Sequence, residues 1–65
     1  MSRITYEVGA YENIAAFVKY RPSLIEEGIK TKRKAIKEGE RLIGSGYERV
    51  KIQSNDLEFI EILEC

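Results

Sequence analysis

Alternating apolar and polar residues predict a β-strand at the start of the chain. In "RITYEV" (residues 3–8), Ile4, Tyr6 and Val8 fall on one side and polar residues on the other. This period of two is typical of a strand with one buried face. The Gly9-Ala10 pair that follows is predicted to end the strand.

The C-terminal third of the chain repeats this pattern twice. "YERVKIQ" (47–53) places Val50 and Ile52 on one side, and "LEFIEILE" (57–64) supplies a last strand. The turn-forming cluster "SND" separates the two segments. We therefore expect a β-hairpin with a short loop.

The middle of the chain has helical spacing instead. "YENIAAFVKY" (11–20) predicts a short helix that stops before Pro22, because the residue before a proline avoids the α region. Ser23 and Glu26 have the spacing of a capping box, which satisfies two free N–H groups at a helix N-terminus. A long helix is therefore predicted from about 23 to 43, ended by "GSG".

These elements predict a single α+β domain over residues 1–65, in the order β-α-α-β-β. A small three-stranded sheet, antiparallel or mixed, would pack on one long amphipathic helix. A chain of 65 residues buries too little surface for high stability without help from disulfides, metals or other subunits.

The long predicted helix has a broad apolar face and an opposite basic ridge. At about 100° per residue, the apolar residues cluster on one side. The basic ridge comprises Lys30, Lys34, Lys37 and Arg41. Three interpretations of this ridge are open: a solvated face, a surface that contacts phosphates, or a docking site for an acidic protein. No aromatic residue between Tyr20 and Tyr47 is available to stack on bases, which disfavours nucleic-acid binding.

Two glycines interrupt the predicted helix. Gly28 and Gly39 align on one side of it, and each costs about 1 kcal/mol relative to alanine in a helix. Close approach of another backbone would explain that cost, and tolerated helix glycines are the alternative. Lys32 lies inside the apolar arc, where it either extends along the surface or meets a partner's carboxylate.

The predicted last strand indicates that the protein has a partner. Apolar residues occur on both of its sides, as in strands that are covered on both faces. Helices on one side of a small sheet leave the other side bare, unless the short helix crosses over. We predict that a partner protein covers it, through Phe59, Ile60, Ile62 and Leu63, with Gly28 and Gly39 for close packing.

The amino-acid composition limits the kinds of chemical site that this chain can form. The chain has one cysteine and no histidine, so an internal disulfide and a Cys/His zinc site are excluded, and the commonest general base is missing. We expect no enzyme activity, no metal and no cofactor, and at Cys65 either an inert thiol or a disulfide bond to another chain. Net charge is zero, although residues 19–41 carry +4 and residues 47–65 carry −3. No leader or membrane span is recognisable, so we expect a cytoplasmic or virion location.

Residues 4–43 resemble siphophage tail-completion (neck) proteins. The matching pieces are "ITYEV", "YENIAAFVKY", Pro22 and "AIKEGERLI", which follow that family's order of strand, short helix, proline and long helix. "GSGYERV" stands where the family has its proline-aspartate-threonine-glycine turn. The resemblance implies a structural virion protein that assembles in a ring with copies of itself.

Three functions follow from these patterns. The first is a non-enzymatic structural protein, working as a homo-oligomer or as a subunit of a larger assembly, either viral or cellular. The second is a nucleic-acid-binding module that uses the basic ridge. The third is an inhibitor whose acidic C-terminal strand docks on a basic host protein.

Overall fold

The computed structural model describes residues 3–64, which form a four-stranded antiparallel sheet and two helices. The strand order is β2-β1-β3-β4. The elements are β1 Tyr6–Tyr11, α1 Ile14–Val18, β2 Leu24–Ile29, α2 Lys32–Gly44, β3 Arg49–Ser54 and β4 Ile60–Glu64. The predicted α+β class is confirmed, whereas the predicted three strands and long helix are inexact, because the sheet has four strands and its helix is shorter.

The largest correction concerns the segment after Pro22. Residues predicted as the first turns of the long helix form β2, in which Leu24 pairs with Ala10 and Ile29 pairs with Tyr6. The Ser23 capping box is not used, since the N–H of Ser23 donates to the carbonyl of Ala10 at 2.8 Å. Pairing with β1 satisfies a whole row of backbone groups, which outweighs a local capping signal.

The long helix therefore starts nine residues later than predicted, at Lys32. Thr31 caps it, because its side-chain oxygen accepts from the N–H of Lys34 at 3.2 Å. The helix ends with Gly44, and Ser45 is the C-cap. At 1.5 Å per residue, α2 is roughly 20 Å long rather than roughly 30 Å.

The first strand and first helix are also displaced along the chain. Gly9 and Ala10 lie inside β1, not after it, because β1 pairs with both β2 and β3 along this stretch. The short helix shrinks to α1, with Asn13 as N-cap accepting from Ala16 N–H at 2.8 Å. The hairpin of β3 and β4 forms as predicted, with β4 beginning at Ile60.

Helix α2 packs on one side of the sheet. It connects β2 to β3, which both run antiparallel to the intervening β1, so the helix crosses over that central strand. The buried apolar residues on this side are Val8, Ala10, Ala35, Leu42, Val50 and Ile52. Among the described elements, α2 alone supplies buried helical residues to this core.

The two glycines have different roles. A Cβ at Gly39 would lie 2.9 Å from Cδ1 of Ile52 and 2.9 Å from Cδ1 of Leu63, so side chains of the chain's own sheet, rather than another backbone, approach closely there. Gly28 is no helix residue. It has φ +74° where the β1–β2 register shifts, and a Cβ there would have no neighbour within 4 Å. Its predicted position in a helix is therefore wrong, and its conformation explains the glycine, while its contact with a partner stays a prediction.

Candidate functional site

The side of the sheet opposite α2 forms the candidate site, and we call it the open face. Strand pairing arranges its residues in rows across the sheet. The central row is Ile25, Gly9, Lys51 and Ile62, each opposite the next on the adjoining strand. A second row runs Glu7, Gln53, Ile60, and a third runs Tyr11, Arg49, Glu64.

Large apolar side chains are exposed at the two outer strands of the open face. Ile25 on β2 is 51 % exposed, and Ile60 and Ile62 on β4 are 53 % and 46 % exposed. Across the sheet, Val50 and Ile52 are fully buried on the side that α2 covers. An exposed apolar cluster rimmed by polar residues is typical of a protein–protein contact.

Between these apolar edges lies a shallow depression of about 240 Å³. Gly9 lies in it, because a glycine leaves the space that a side chain would fill on this face. Tyr20 and Pro22 line it together with Ile25 on the side of β2, and Lys51 and Gln53 line it on the side of β3.

Polar groups on the open face are largely paired with one another. Gln53 Nε2 donates to Glu7 Oε1 at 3.0 Å, and Arg49 forms an ion pair with Glu64 at 3.5 Å. Burial, reinforced by the negative charge of Glu7, raises the pKa of the Tyr11 hydroxyl. The face thus combines apolar edges with a centre in which opposite charges balance.

Tyr20 holds an unusual conformation at the edge of the depression. Its φ of +56° is in the left-handed region, which favours glycine. The N–H of Arg21 donates to Ala16 O at 2.9 Å and the N–H of Tyr20 donates to Phe17 O at 3.2 Å, as in a Schellman helix end. The Tyr20 ring is nevertheless 78 % exposed and lies 5.9 Å from Lys51 Nζ. A strained backbone therefore presents an exposed aromatic ring beside the open face.

Helix α1 shelters only one end of this face. Phe17 packs edge-to-face on Tyr11, with ring centroids 5.2 Å apart, and Tyr11 is 6 % exposed. With five residues, α1 is too short to extend over the exposed isoleucines.

The four apolar residues predicted to contact a partner lie on two different sides of the sheet. Ile60 and Ile62 lie on the open face, whereas Phe59 and Leu63 pack against the core beneath α2. Phe59 meets Tyr6 edge-to-face at 6.0 Å, and Lys32 Nζ lies 4.3 Å from the centre of the Phe59 ring. Phe59 and Leu63 are therefore partly buried against the core, and Lys32 contacts an aromatic ring of its own chain. Alternation along the strand places them on opposite sides.

The predicted basic ridge is only partly assembled. Lys34 and Lys37 are exposed on α2, but Lys30 lies before the helix begins. Arg41 contacts Glu38 through its Nε and lies 3.8 Å from Glu26 Oε2. The hydrogen bond from Arg41 lowers the pKa of Glu38, while burial and the neighbouring Glu38 raise the pKa of Glu26. The ridge is thus interrupted by acidic side chains.

Acidic residues in the β3–β4 loop support the loop itself. The Ser54 hydroxyl and the Glu58 N–H both donate to Asp56, and these hydrogen bonds lower its pKa. Within residues 3–64, no three metal-ligating side chains converge. Neither helix in that range is long and apolar enough to cross a membrane. Cys65 lies outside the described residues.

Sequence reasoning missed Gly9, Tyr20 and Ile25 as parts of this face. The sequence pattern predicts a strand end at Gly9 and places Ile25 within the long helix predicted from about 23 to 43. The "YRP" segment contained one usable signal, because a helix that ends just before a proline often has its last residue in the left-handed conformation. No protein-family model, curated protein or solved structure matches this chain.

Proposed function

We propose that this chain is a non-enzymatic assembly module that binds other protein subunits through the open face of its sheet. The observation that carries the proposal is the exposure of Ile25, Ile60 and Ile62 on one side of a sheet whose other side is covered. Burying the exposed half of each isoleucine would contribute roughly 1 kcal/mol. A small domain gains most from such burial, because its own core is limited.

The open face supports assembly better than catalysis. Its central polar groups neutralise one another, and its depression is shallow. The resemblance of residues 4–43 to tail-completion proteins implies a virion as the location and a ring of copies as the most specific form of the proposal, although β2 lies between Pro22 and α2, where that family has its long helix. A cytoplasmic complex built through the same face is the more general form.

Ile62→Asp should abolish assembly. A carboxylate at this position would lose its water when a subunit covers the open face, at a cost of several kcal/mol. The wild type should show a mass above 7.5 kDa in light scattering at micromolar concentration, or co-purify in a complex from the cells that make it. The variant should have the single-chain mass and lose the complex.

Ile4→Asp is the matched control for this experiment. Ile4 is 47 % exposed, almost the same as Ile62 at 46 %, but it lies before β1. Circular dichroism should give the same fold for both variants. Assembly that survives Ile62→Asp would contradict the proposal. So would a wild type that has the single-chain mass in light scattering and that co-purifies with no other protein.

Tyr20→Gly should weaken assembly without lowering the stability of the fold. Glycine relieves the left-handed strain, so the free energy of unfolding should stay the same or rise by about 1 kcal/mol in urea denaturation. Loss of the exposed ring should weaken association at least tenfold, measured by dilution in light scattering. Leu57→Gly is the control, since Leu57 has φ +63° and is 64 % exposed but belongs to the β3–β4 loop. Association unchanged by Tyr20→Gly would remove Tyr20 from the contact.

A further inference from the structure

We infer that Glu26, Glu38 and Arg41 form a pH-sensitive contact between the edge strand β2 and helix α2, strongest in mildly acidic solution and weaker at neutral pH. Glu26 belongs to β2, which is an outer strand of the sheet, and the other two residues belong to α2. The contact lies on the side of the sheet that α2 covers. The inference therefore does not rest on the proposed function of the open face.

The strand register directs the Glu26 side chain towards the helix. Glu26 is paired with Val8 of β1, which is fully buried beneath α2, and directly paired residues point to the same side of a sheet. Arg41 Nη2 lies 3.8 Å from Glu26 Oε2, and Arg41 Nε donates to Glu38. Within residues 3–64, the Arg41–Glu26 pair is the one ion pair that joins β2 to α2.

One guanidinium thus serves two carboxylates. Glu26 Oε2 is buried and has no hydrogen-bond partner among residues 3–64, because its distance from Arg41 exceeds hydrogen-bond length. When both glutamates are ionised, two negative charges share one positive charge, and a buried oxygen accepts no hydrogen bond. An unpaired buried acceptor costs free energy, so the fully ionised form of the contact is unfavourable.

A single proton on Glu26 removes this conflict. A protonated carboxyl group can donate a hydrogen bond to Glu38, and one negative charge then remains for Arg41. Burial raises the pKa of Glu26, and its hydrogen bond with Glu38 raises it further. The hydrogen bond from Arg41 lowers the pKa of Glu38. Glu26 therefore takes the proton and Glu38 keeps its charge.

Other charged groups around the contact do not replace this proton. Lys30 and Lys34 line the same depression as the two glutamates, but neither forms an ion pair in the part of the chain that the structure describes. The hydrogen bond to Glu38 raises the pKa of Arg41, and Tyr47 adds to that rise, so the guanidinium stays charged. The β1 residue opposite the contact is apolar. The two carboxylates are therefore the groups that titrate.

Stability from this contact should pass through a maximum in mildly acidic solution. Because the pKa of Glu26 is raised, its contribution is fully present below the ordinary glutamate value of 4.5 and is lost as the pH rises through the folded-state pKa. Because the pKa of Glu38 is lowered, its contribution is present above that value and is lost as the pH falls through the folded-state pKa. The two contributions are greatest together between these limits.

Glu26→Gln tests the contact, since glutamine is neutral at every pH and its amide can donate to Glu38 as the protonated carboxyl group does. Urea denaturation at about pH 4.5 and about pH 7.5 would be followed by circular dichroism, at a dilution where the chain is a monomer. The two chains should be similar at the lower pH. At the higher pH, the urea midpoint of the variant should exceed that of the wild type by a few tenths of a molar. Glu27→Gln removes the same charge from an exposed neighbour on β2, and it should show no such gain.

A gain from Glu26→Gln that is equal at both pH values, or no gain at either, would overturn the inference. Carbon-13 NMR of the carboxyl groups in the folded wild type gives a second test that needs no stable variant. The Glu26 resonance should titrate above the ordinary glutamate value, and the Glu38 resonance should titrate below it. In Glu38→Gln, the Glu26 titration should move to lower pH, because Arg41 then serves a single carboxylate. A Glu26 titration that this substitution leaves in place would show that the two carboxylates share no proton.

Discussion

Gly39→Leu should unfold the protein or lower its free energy of unfolding by about 3 kcal/mol. The Cβ alone would lie 2.9 Å from two methyl groups and 3.3 Å from Val50 Cγ1, and leucine adds three further carbon atoms at this contact. Overpacking of this kind outweighs the gain of about 1 kcal/mol that leucine brings to a helix. A core of this size rarely supplies more than about 3–5 kcal/mol, so the loss consumes most of it.

Urea denaturation followed by circular dichroism measures this effect, and Gly44→Leu is the control. Gly44 belongs to the same helix, but a Cβ there meets nothing within 4 Å. The control should keep or slightly increase the stability of the wild type through helix propensity. Equal stability of the two variants would show that α2 does not approach the sheet as closely as Gly39 indicates.

Ile52→Ala should cost about 2–5 kcal/mol and leave little folded protein at 37 °C. Ile52 is fully buried, and its Cδ1 fills the space above Gly39. The substitution removes buried carbon atoms and leaves a cavity that the surrounding sheet and helix close only in part. Thermal unfolding measured at one protein concentration gives the shift in Tm.

Ile62→Ala is the matched substitution on the other side of the sheet. Ile62 is 46 % exposed on the neighbouring strand, so its truncation should cost less than about 1 kcal/mol under conditions where the chain is a monomer. A monomer in which both substitutions cost the same would contradict the assignment of a covered side and an open side.

The strands of the hairpin were predictable because apolar and polar residues alternate along them and no helical pattern occurs in the same residues. Val50 and Ile52 lie on one side as the period of two requires, and both are buried in the core. The same alternation placed Ile60 and Ile62 on the side opposite α2. That part of the candidate site therefore followed from local sequence alone.

The segment from Ser23 to Ile29 could not be assigned locally because two signals conflicted. Ser23 and Glu26 have helix-capping spacing, and the apolar residues continue the helical face of α2. Pairing with β1, which no local pattern reveals, decided the outcome. Since β2 contributes Ile25 to the open face, the error in secondary structure also hid half of the site.

Placement of β1 at the centre of the sheet has a consequence for synthesis of the chain. Tyr6 pairs with Ser54, so β1 gains its contacts with β3 only after α2 and β3 have been synthesised. Until β3 leaves the ribosome, the nascent chain can form only the β1–β2 pair and isolated helical turns. The complete sheet is therefore expected to form as one unit once β3 and β4 have left the ribosome.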